Sequence, residues 1–249
     1  MELKFRIRQE GFVAMVEWKK DGTVAIMIMN NGENRQNLAW AEEMLSTYEE
    51  IIADSEIKAL VLTSSDPKNF SQGVDVQWVA KAQSEQNFAI INKWLKKNHE
   101  VFTAMLMAPV PTIAAITGHA FGNGAMLAGA CDFRFMRSDR GYFCLPEIDL
   151  GIQFIPSQIE WMKRIMPYHF FIRLQLSGER VTATEMEKYG VIIKACPSYE
   201  DTIAEAVAFG RTFNKSRTNM AEMKRRTYKH ILDIMANEDP KYMTIGSQA

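Results

Sequence analysis

The chain has 249 residues with 29 basic and 30 acidic side chains, a formal net charge of −1. That balance argues against a general nucleic-acid binder, which needs a basic surface to neutralise phosphates. Three widely spaced cysteines form no CxxC or Cys/His pattern, so we expect neither a disulfide framework nor a metal site. The charged first residues do not resemble a signal peptide, and the most apolar stretch is too short to span a bilayer. We therefore expect a cytoplasmic protein without a membrane or nucleic-acid partner.

Strand and helix patterns alternate along the chain. Residues 12–19 and 23–29 are β-rich runs around Lys20-Asp21-Gly22, and Asp-Gly between such runs indicates a hairpin. Apolar spacing predicts helices over residues 38–53 and 87–107, with short strands at 59–63 and 112–117. The pattern continues with strands at 133–136 and 191–195, and with helices at 156–166, 167–176, 182–189, 199–213 and 219–235. This alternation predicts an α/β fold, and a break near residues 190–197 predicts a core over 1–195 and a helical region over 196–249.

One glycine turn, residues 70–75, contains the sequence Phe70-Ser-Gln-Gly-Val-Asp75. It follows a predicted strand and precedes residues 76–83, which are compatible with a helix. Gly73 permits a backbone conformation that is closed to other residues. Free N–H groups at such a turn, or at the helix start beyond it, bind anions. Taken alone, a packing turn is the simpler interpretation.

A second glycine turn, residues 118–124, has the same character. Gly122 and Gly124 flank Asn123, and the helix that follows would direct its positive end at the turn. Leu127 stands where a dinucleotide fingerprint needs its third glycine, so we exclude a Rossmann site. Two such turns at strand ends favour an oxyanion hole, because that site needs two N–H donors converging on one oxygen.

A general base is also required, and Glu147 is the candidate. It lies in Leu145-Pro-Glu-Ile-Asp-Leu-Gly151, and an apolar pocket would raise the pKa of its carboxyl group. A solvated loop glutamate is the alternative, and Asp149 is a rival base. His119 lies beside the second turn, but a single histidine there is more often structural. The sequence has no GxSxG motif, which disfavours a serine hydrolase.

Together, the segments from about Val24 to Pro197 resemble the crotonase (enoyl-CoA hydratase/isomerase) superfamily. The matching segments are Asn37-Leu38, Phe70-Ser-Gln-Gly-Val-Asp75, Thr112-Ile-Ala-Ala-Ile-Thr-Gly-His-Ala-Phe-Gly-Asn-Gly124 with Cys131-Asp132, Pro146-Glu-Ile-Asp-Leu-Gly151 and Leu176-Ser-Gly-Glu-Arg-Val-Thr-Ala183. The resemblance implies a ββα superhelix with a helical C-terminal trimerisation region, assembled as a homotrimer or hexamer. It also implies an acyl-CoA substrate, no further cofactor, and an enolate held by two backbone N–H groups.

On this sequence the resemblance places those N–H groups at Gln72 and Asn123. It places coenzyme A near a set of polar and glycine residues that comprises Arg35, Gln36, Gln72, Gly73 and Asp75. It places the acyl group in a pocket that comprises Trp78, Met126, Phe154 and Ile155. All of these assignments come from the resemblance, and none follows from spacing alone.

Met126 distinguishes between members of this superfamily. Hydratases use two glutamates, and Met126 occupies the position of the first, where it neither accepts nor delivers a proton. Retention of Glu147 alone resembles the Δ3,Δ2-enoyl-CoA isomerases, in which one acid/base moves a double bond through a dienolate. The alternatives are another crotonase-type enzyme (a hydratase, hydrolase or decarboxylase) and a non-catalytic relative that binds acyl-CoA or RNA.

Overall fold

The computed structural model describes residues 14–245. It begins with an antiparallel hairpin in which β1 (Val16–Asp21) pairs with β2 (Val24–Met29). Gly22, in the connecting turn, has φ +60°, a left-handed conformation that glycine adopts without strain. The predicted hairpin is confirmed, although its first strand begins at Val16, and the predicted residues 12 and 13 lie outside the described part.

Ten strands are found in the described residues, and they form two sheets. After β1 and β2 they are β3 (Ala59–Ser64), β4 (Asn69–Ser71), β5 (Thr112–Ile116), β6 (His119–Phe121), β7 (Phe133–Arg137), β8 (Phe143–Cys144), β9 (Arg180–Val181) and β10 (Lys194–Cys196). The main sheet has the order β1-β2-β3-β5-β7-β10 and is parallel from β2 onward. The small sheet has the order β4-β6-β8-β9, and its first three strands are parallel.

Helices connect the strands and cover the sheets, as expected for an α/β fold. They are α1 (Leu38–Ala53), α2 (Val76–Ser84), α3 (Phe88–Met107), α4 (Asn123–Ala130), α5 (Glu147–Leu150), α6 (Pro156–Ile165), α7 (Tyr168–Ser177), α8 (Ala183–Lys188), α9 (Tyr199–Gly210), α10 (Arg217–Thr227), α11 (Lys229–Asn237) and a 3-10 helix (Asp239–Lys241). No helix in this part of the chain is long and apolar enough to cross a membrane.

The main sheet is buried on both faces, as is typical of parallel sheets. Leu60 and Leu62 of β3 join the larger core cluster, whereas Ala59 and Val61 join a smaller cluster beneath α9. Side chains alternate between the faces of a strand, so one short apolar run supplies both layers. The near-continuous apolar sequence of β3 therefore reflects its central place in the sheet.

The C-terminal helices pack onto the rest of the chain. β10 pairs with β7, and α9 lies against the main sheet. Lys224 of α10 is buried, and its ammonium group donates to the carboxylate of Asp132 and to the carbonyl oxygen of Val110. Burial of an unpaired ammonium is costly, so this ion pair fixes where α10 docks.

Two predicted elements differ from the structure. The strand predicted at 191–195 is shorter and begins at Lys194 as β10. Val191 and Ile192 are buried in the core, but they do not pair with a neighbouring strand. The helix predicted at 219–235 is two helices, interrupted at Tyr228. The Tyr228 ring lies under the Arg164 guanidinium, and its hydroxyl accepts from that group at 2.7 Å. Tertiary contacts, which periodicity does not register, account for both differences.

Candidate active site

The two glycine turns are in direct contact. A Cβ atom added to Gly73 would lie 2.6 Å from the carbonyl oxygen of Phe121 and 3.0 Å from the backbone nitrogen of Asn123. One added to Gly124 would lie 2.3 Å from the carbonyl oxygen of Ser71. Real Cβ atoms do not approach so closely, so glycine at these positions lets one backbone lie against the other.

The first turn contains a free N–H group, but it does not belong to Gln72. The Gln72 N–H donates to the carbonyl oxygen of Glu33 at 3.0 Å, so the prediction that it is an available donor is wrong for this structure. Gly73 donates to the hydroxyl of Ser71, and Asp75 donates to the carbonyl oxygen of Gln36. Between them, the Val74 N–H has no acceptor within residues 14–245.

The direction of the Val74 N–H follows from a short parallel bridge between Gln36 and Val74. The Gln36 N–H donates to the carbonyl oxygen of Gly73 at 2.8 Å, and the Asp75 N–H donates to that of Gln36 at 3.1 Å. In such a bridge the groups on either side of the central residue face the partner strand. The N–H of Val74 therefore points away from Gln36.

The second turn ends at the N-terminus of α4. Gly122 precedes the helix with φ +52° and provides no side-chain cap, so the first N–H groups of α4, beginning with that of Asn123, have no intrahelical acceptor. The positive end of the helix dipole reinforces them. At the other end of α4, Arg164 donates to the carbonyl oxygens of Gly129, Ala130 and Cys131, which anchors the helix.

Glu147 is the first residue of α5, and its side chain is only 7% exposed. Burial raises the pKa of the Glu147 carboxyl to about 7. Its Oε2 atom is buried without a hydrogen-bond partner, and its Oε1 atom would lie 3.2 Å from a Cβ atom on Gly122. The alternative of a solvated loop glutamate is therefore wrong, and the carboxyl group faces the second turn.

The rival base Asp149 lies elsewhere. It is exposed, and its Oδ2 atom would be 2.5 Å from a Cβ atom on Gly178, at the end of α7. Of these two carboxylates, only Glu147 lies beside one of the two glycine turns defined above. The described residues contain no cluster of His, Cys, Asp and Glu side chains that would hold a metal ion.

The residues predicted for the acyl pocket lie in three places. Met126 is 1% exposed and belongs to the larger core cluster, against which Phe154 packs. Trp78 is half-buried in a separate cluster, with its ring 6.0 Å from that of Trp94. Ile155 is half-buried just before α6.

The residues predicted for coenzyme A surround the first turn. Arg35 is partly exposed and pairs with Glu33 at 2.9 Å. Asp75 caps α2 by accepting from the Trp78 N–H, and it also accepts from the Asn37 side chain. Gln72 is half-buried, and its side-chain amide donates to that of Asn69. Gln36 is fully buried.

His119 contacts aromatic side chains rather than the base. Its ring lies 5.0 Å from that of Phe121 and 5.7 Å from that of Tyr142. Burial lowers the pKa of His119, and the charges of Arg140 and Arg180 lower it further. These contacts agree with a structural role.

The sequence did not indicate the free N–H group of Val74 or the backbone pairing of Gln36 with Val74. The glycine turn indicated that a donor would be present, but the identity of the free N–H depends on which neighbours are already paired. The pairing of Gln36 with Val74 joins segments 38 residues apart, and no local pattern encodes it.

Comparison with known proteins matches the sequence of this chain to one family. The family model described as "Enoyl-CoA hydratase/isomerase" matches residues 19–245. The chain is 27% identical over 233 residues to the peroxisomal enoyl-CoA delta isomerase 2 of Arabidopsis thaliana, covering 91% of this chain and 97% of that protein. It is 28% identical over 225 residues to the fatty acid oxidation complex subunit alpha of Vibrio parahaemolyticus, covering 90% of this chain and 31% of that protein.

A solved structure matches the fold. The enoyl-CoA hydratase of Bacillus halodurans superimposes with a TM-score of 0.81 at 18% identity, covering 91% of this chain and 92% of that one. At that identity the likeness concerns the fold alone, and it confirms the predicted crotonase-type α/β architecture. The family model spans nearly all of the described residues, and the chain therefore belongs to the enoyl-CoA hydratase/isomerase family.

Proposed function

We propose that this enzyme isomerises 3-enoyl-CoA thioesters to 2-enoyl-CoA thioesters, with Glu147 as the sole acid/base. The observation that carries the proposal is the buried Glu147 carboxyl beside Gly122, with its pKa raised to about 7. A general base works best when its pKa is near the operating pH. Methionine at position 126 supplies no second acid/base, which favours a one-carboxylate reaction over hydration.

The thioester carbonyl makes a proton on C2 acidic. Glu147 removes that proton, and the electrons form a dienolate whose negative charge collects on the thioester oxygen. The N–H groups of Val74 and Asn123 are the proposed donors to that oxygen, since both are free and belong to the touching turns. The protonated carboxyl then delivers its proton to C4. Removal of one such donor typically raises the barrier by about 2.7–4 kcal/mol.

Coenzyme A would lie along the first turn, near Arg35, Gln72, Gly73 and Asp75. The side chain of Gln36, which was predicted to belong to this set, is fully buried and would not reach the ligand. The free edge of the Arg35 guanidinium suits a phosphate. The acyl group would extend past Met126 and Phe154, whose apolar side chains would exclude water. The name of one relative, the fatty acid oxidation complex subunit alpha, favours a role in fatty acid oxidation.

Assembly and location are also proposals. Exposed apolar side chains lie on and beside α5 and α7, namely Ile148, Leu150, Ile152 and Leu176. Such a patch favours contact between subunits, in agreement with a homotrimer or hexamer. A cytoplasmic location stays a prediction.

Substitution of the base tests the proposal directly. We expect Glu147→Gln to lower kcat for 3-enoyl-CoA isomerisation by about 100-fold or more, because an amide does not accept the C2 proton. The matched control is Asp149→Asn, which removes the exposed neighbouring carboxylate and should leave kcat within about twofold of wild type. Full activity of Glu147→Gln, or hydration of 2-enoyl-CoA by the wild type at a comparable rate, would contradict the assignment.

The pH dependence follows from the raised pKa of Glu147. The base must be ionised, so kcat/KM should rise with pH and level off above about 7. Stability should move the opposite way, because between pH 4.5 and about 7 the unfolded chain ionises this group while the folded one keeps it protonated. Urea denaturation should therefore show Glu147→Gln more stable than wild type at pH 8, by on the order of 3 kcal/mol, and about equal at pH 4. A kcat/KM that stayed constant between pH 5 and 8 would argue against this base.

The contact between the turns is tested at Gly124. Alanine is a better helix former than glycine by roughly 0.5–1 kcal/mol, but its Cβ atom would lie 2.3 Å from the Ser71 carbonyl oxygen. We expect Gly124→Ala to displace the Asn123 N–H and to lower kcat by about 100-fold. The control Gly22→Ala, in the open hairpin turn, should cost about 1–2 kcal/mol of stability and leave kcat unchanged. A folded Gly124→Ala enzyme with wild-type kcat would disprove the role of the contact.

A further inference from the structure

The buried side chain of Gln36 joins the two glycine turns. Its Nε2 atom donates to the hydroxyl oxygen of Ser71 at 3.4 Å and to the carbonyl oxygen of Asn123 at 3.2 Å. Ser71 belongs to the first turn, and Asn123 carries the free N–H of the second. The side chain is 0% exposed, so water does not replace these bonds.

The backbone of the same residue fixes the other donor. The bridge between Gln36 and Val74 occupies the groups on both sides of Val74 and directs the Val74 N–H away from Gln36. One residue therefore holds Val74 through its main chain and Asn123 through its side chain. Gln36 therefore contacts the segments of both proposed donors through hydrogen bonds.

We infer that Gln36 is a positioning residue that sets the separation of the Val74 and Asn123 N–H groups, an inference that rests on the proposed oxyanion hole. It does not touch the reacting atoms. Its amide carries out this role because it donates to a carbonyl oxygen, which a carboxylate does not do. The Oε1 atom of Gln36 is buried without a partner, a desolvation cost that the fold accepts at this position.

A positioning role predicts a specific pattern of effects. Displacement of a donor from an oxyanion hole weakens binding of an enolate, whose oxygen is charged, much more than binding of a thioester whose carbonyl group is neutral. Loss of the Gln36 hydrogen bonds should therefore lower kcat and leave the affinity for thioesters with a neutral acyl group nearly unchanged. A purely structural residue would instead change stability, or would weaken every ligand alike.

The test compares two ligands with one variant and its control. Gln36→Met keeps the length of the side chain and removes the donor. Dissociation constants are measured for acetoacetyl-CoA at a pH where it binds as the enolate, and for butyryl-CoA, which carries no such charge. The control is Thr202→Val, which also removes a buried polar group, a hydroxyl on α9 that donates to Ser198. Melting temperatures and kcat for 3-enoyl-CoA are measured in parallel.

We expect Gln36→Met to weaken binding of the enolate about 10-fold or more, to change binding of butyryl-CoA by less than about twofold, and to lower kcat roughly 10- to 100-fold. Gln36→Glu should be worse, since an ionised carboxylate would face the Asn123 carbonyl oxygen. Thr202→Val should retain the wild-type ratio of the two affinities. Equal weakening of both ligands, or a wild-type kcat in a folded Gln36→Met enzyme, would overturn the inference.

The same measurements separate this inference from the proposed reaction. In one outcome the wild type binds the enolate more tightly than butyryl-CoA, and Gln36→Met removes that preference, but the wild type does not isomerise 3-enoyl-CoA. That outcome would overturn the proposed reaction and leave the role of Gln36 standing. A wild-type enzyme that binds both ligands alike has no oxyanion hole, and the inference fails with it.

Discussion

The close approach of two backbone turns constrains the whole site. Gly73 lies against the Phe121 carbonyl oxygen, and Gly124 lies against the Ser71 carbonyl oxygen, at distances that no side chain would permit. The main sheet and the small sheet bring these turns together from segments about 50 residues apart. Helix α4, held at its C-terminus by Arg164, then presents its N-terminus to the place where the turns meet.

The base depends on the same contact. Gly122 lacks a side chain, which leaves room for the Glu147 carboxyl beside the second turn, and burial there raises the pKa of Glu147 to about 7. An ionised carboxylate in such a place is costly, so the fold gives up stability to hold the proposed base at a pKa near neutral pH. The proposed chemistry uses this group twice, first as a base at C2 and then as an acid at C4.

Parts of the candidate site were predictable because glycines that follow an apolar strand indicate a turn. The two turns and Glu147 came from local patterns, and the long helices came from apolar periodicity. Asn123 as a donor came from the family resemblance. The donor in the first turn did not, since Gln72 and Val74 are distinguished only by the acceptors that Glu33 and Gln36 bring from elsewhere. The strands β4, β6, β8 and β9 are two or three residues long, too short for an alternation to be recognised.

In the proposed reaction Glu147 removes a C2 proton, and the two turns stabilise the charge that forms. Incubation of a 3-enoyl-CoA deuterated at C2, followed by NMR of the product, traces that proton directly. We expect the wild type to produce 2-enoyl-CoA that has lost one C2 deuterium and carries deuterium at C4, and we expect Glu147→Gln to form no product. Loss of the C2 deuterium that persisted in Glu147→Gln, or a 3-hydroxyacyl-CoA as the first product of the wild type, would contradict the proposed reaction.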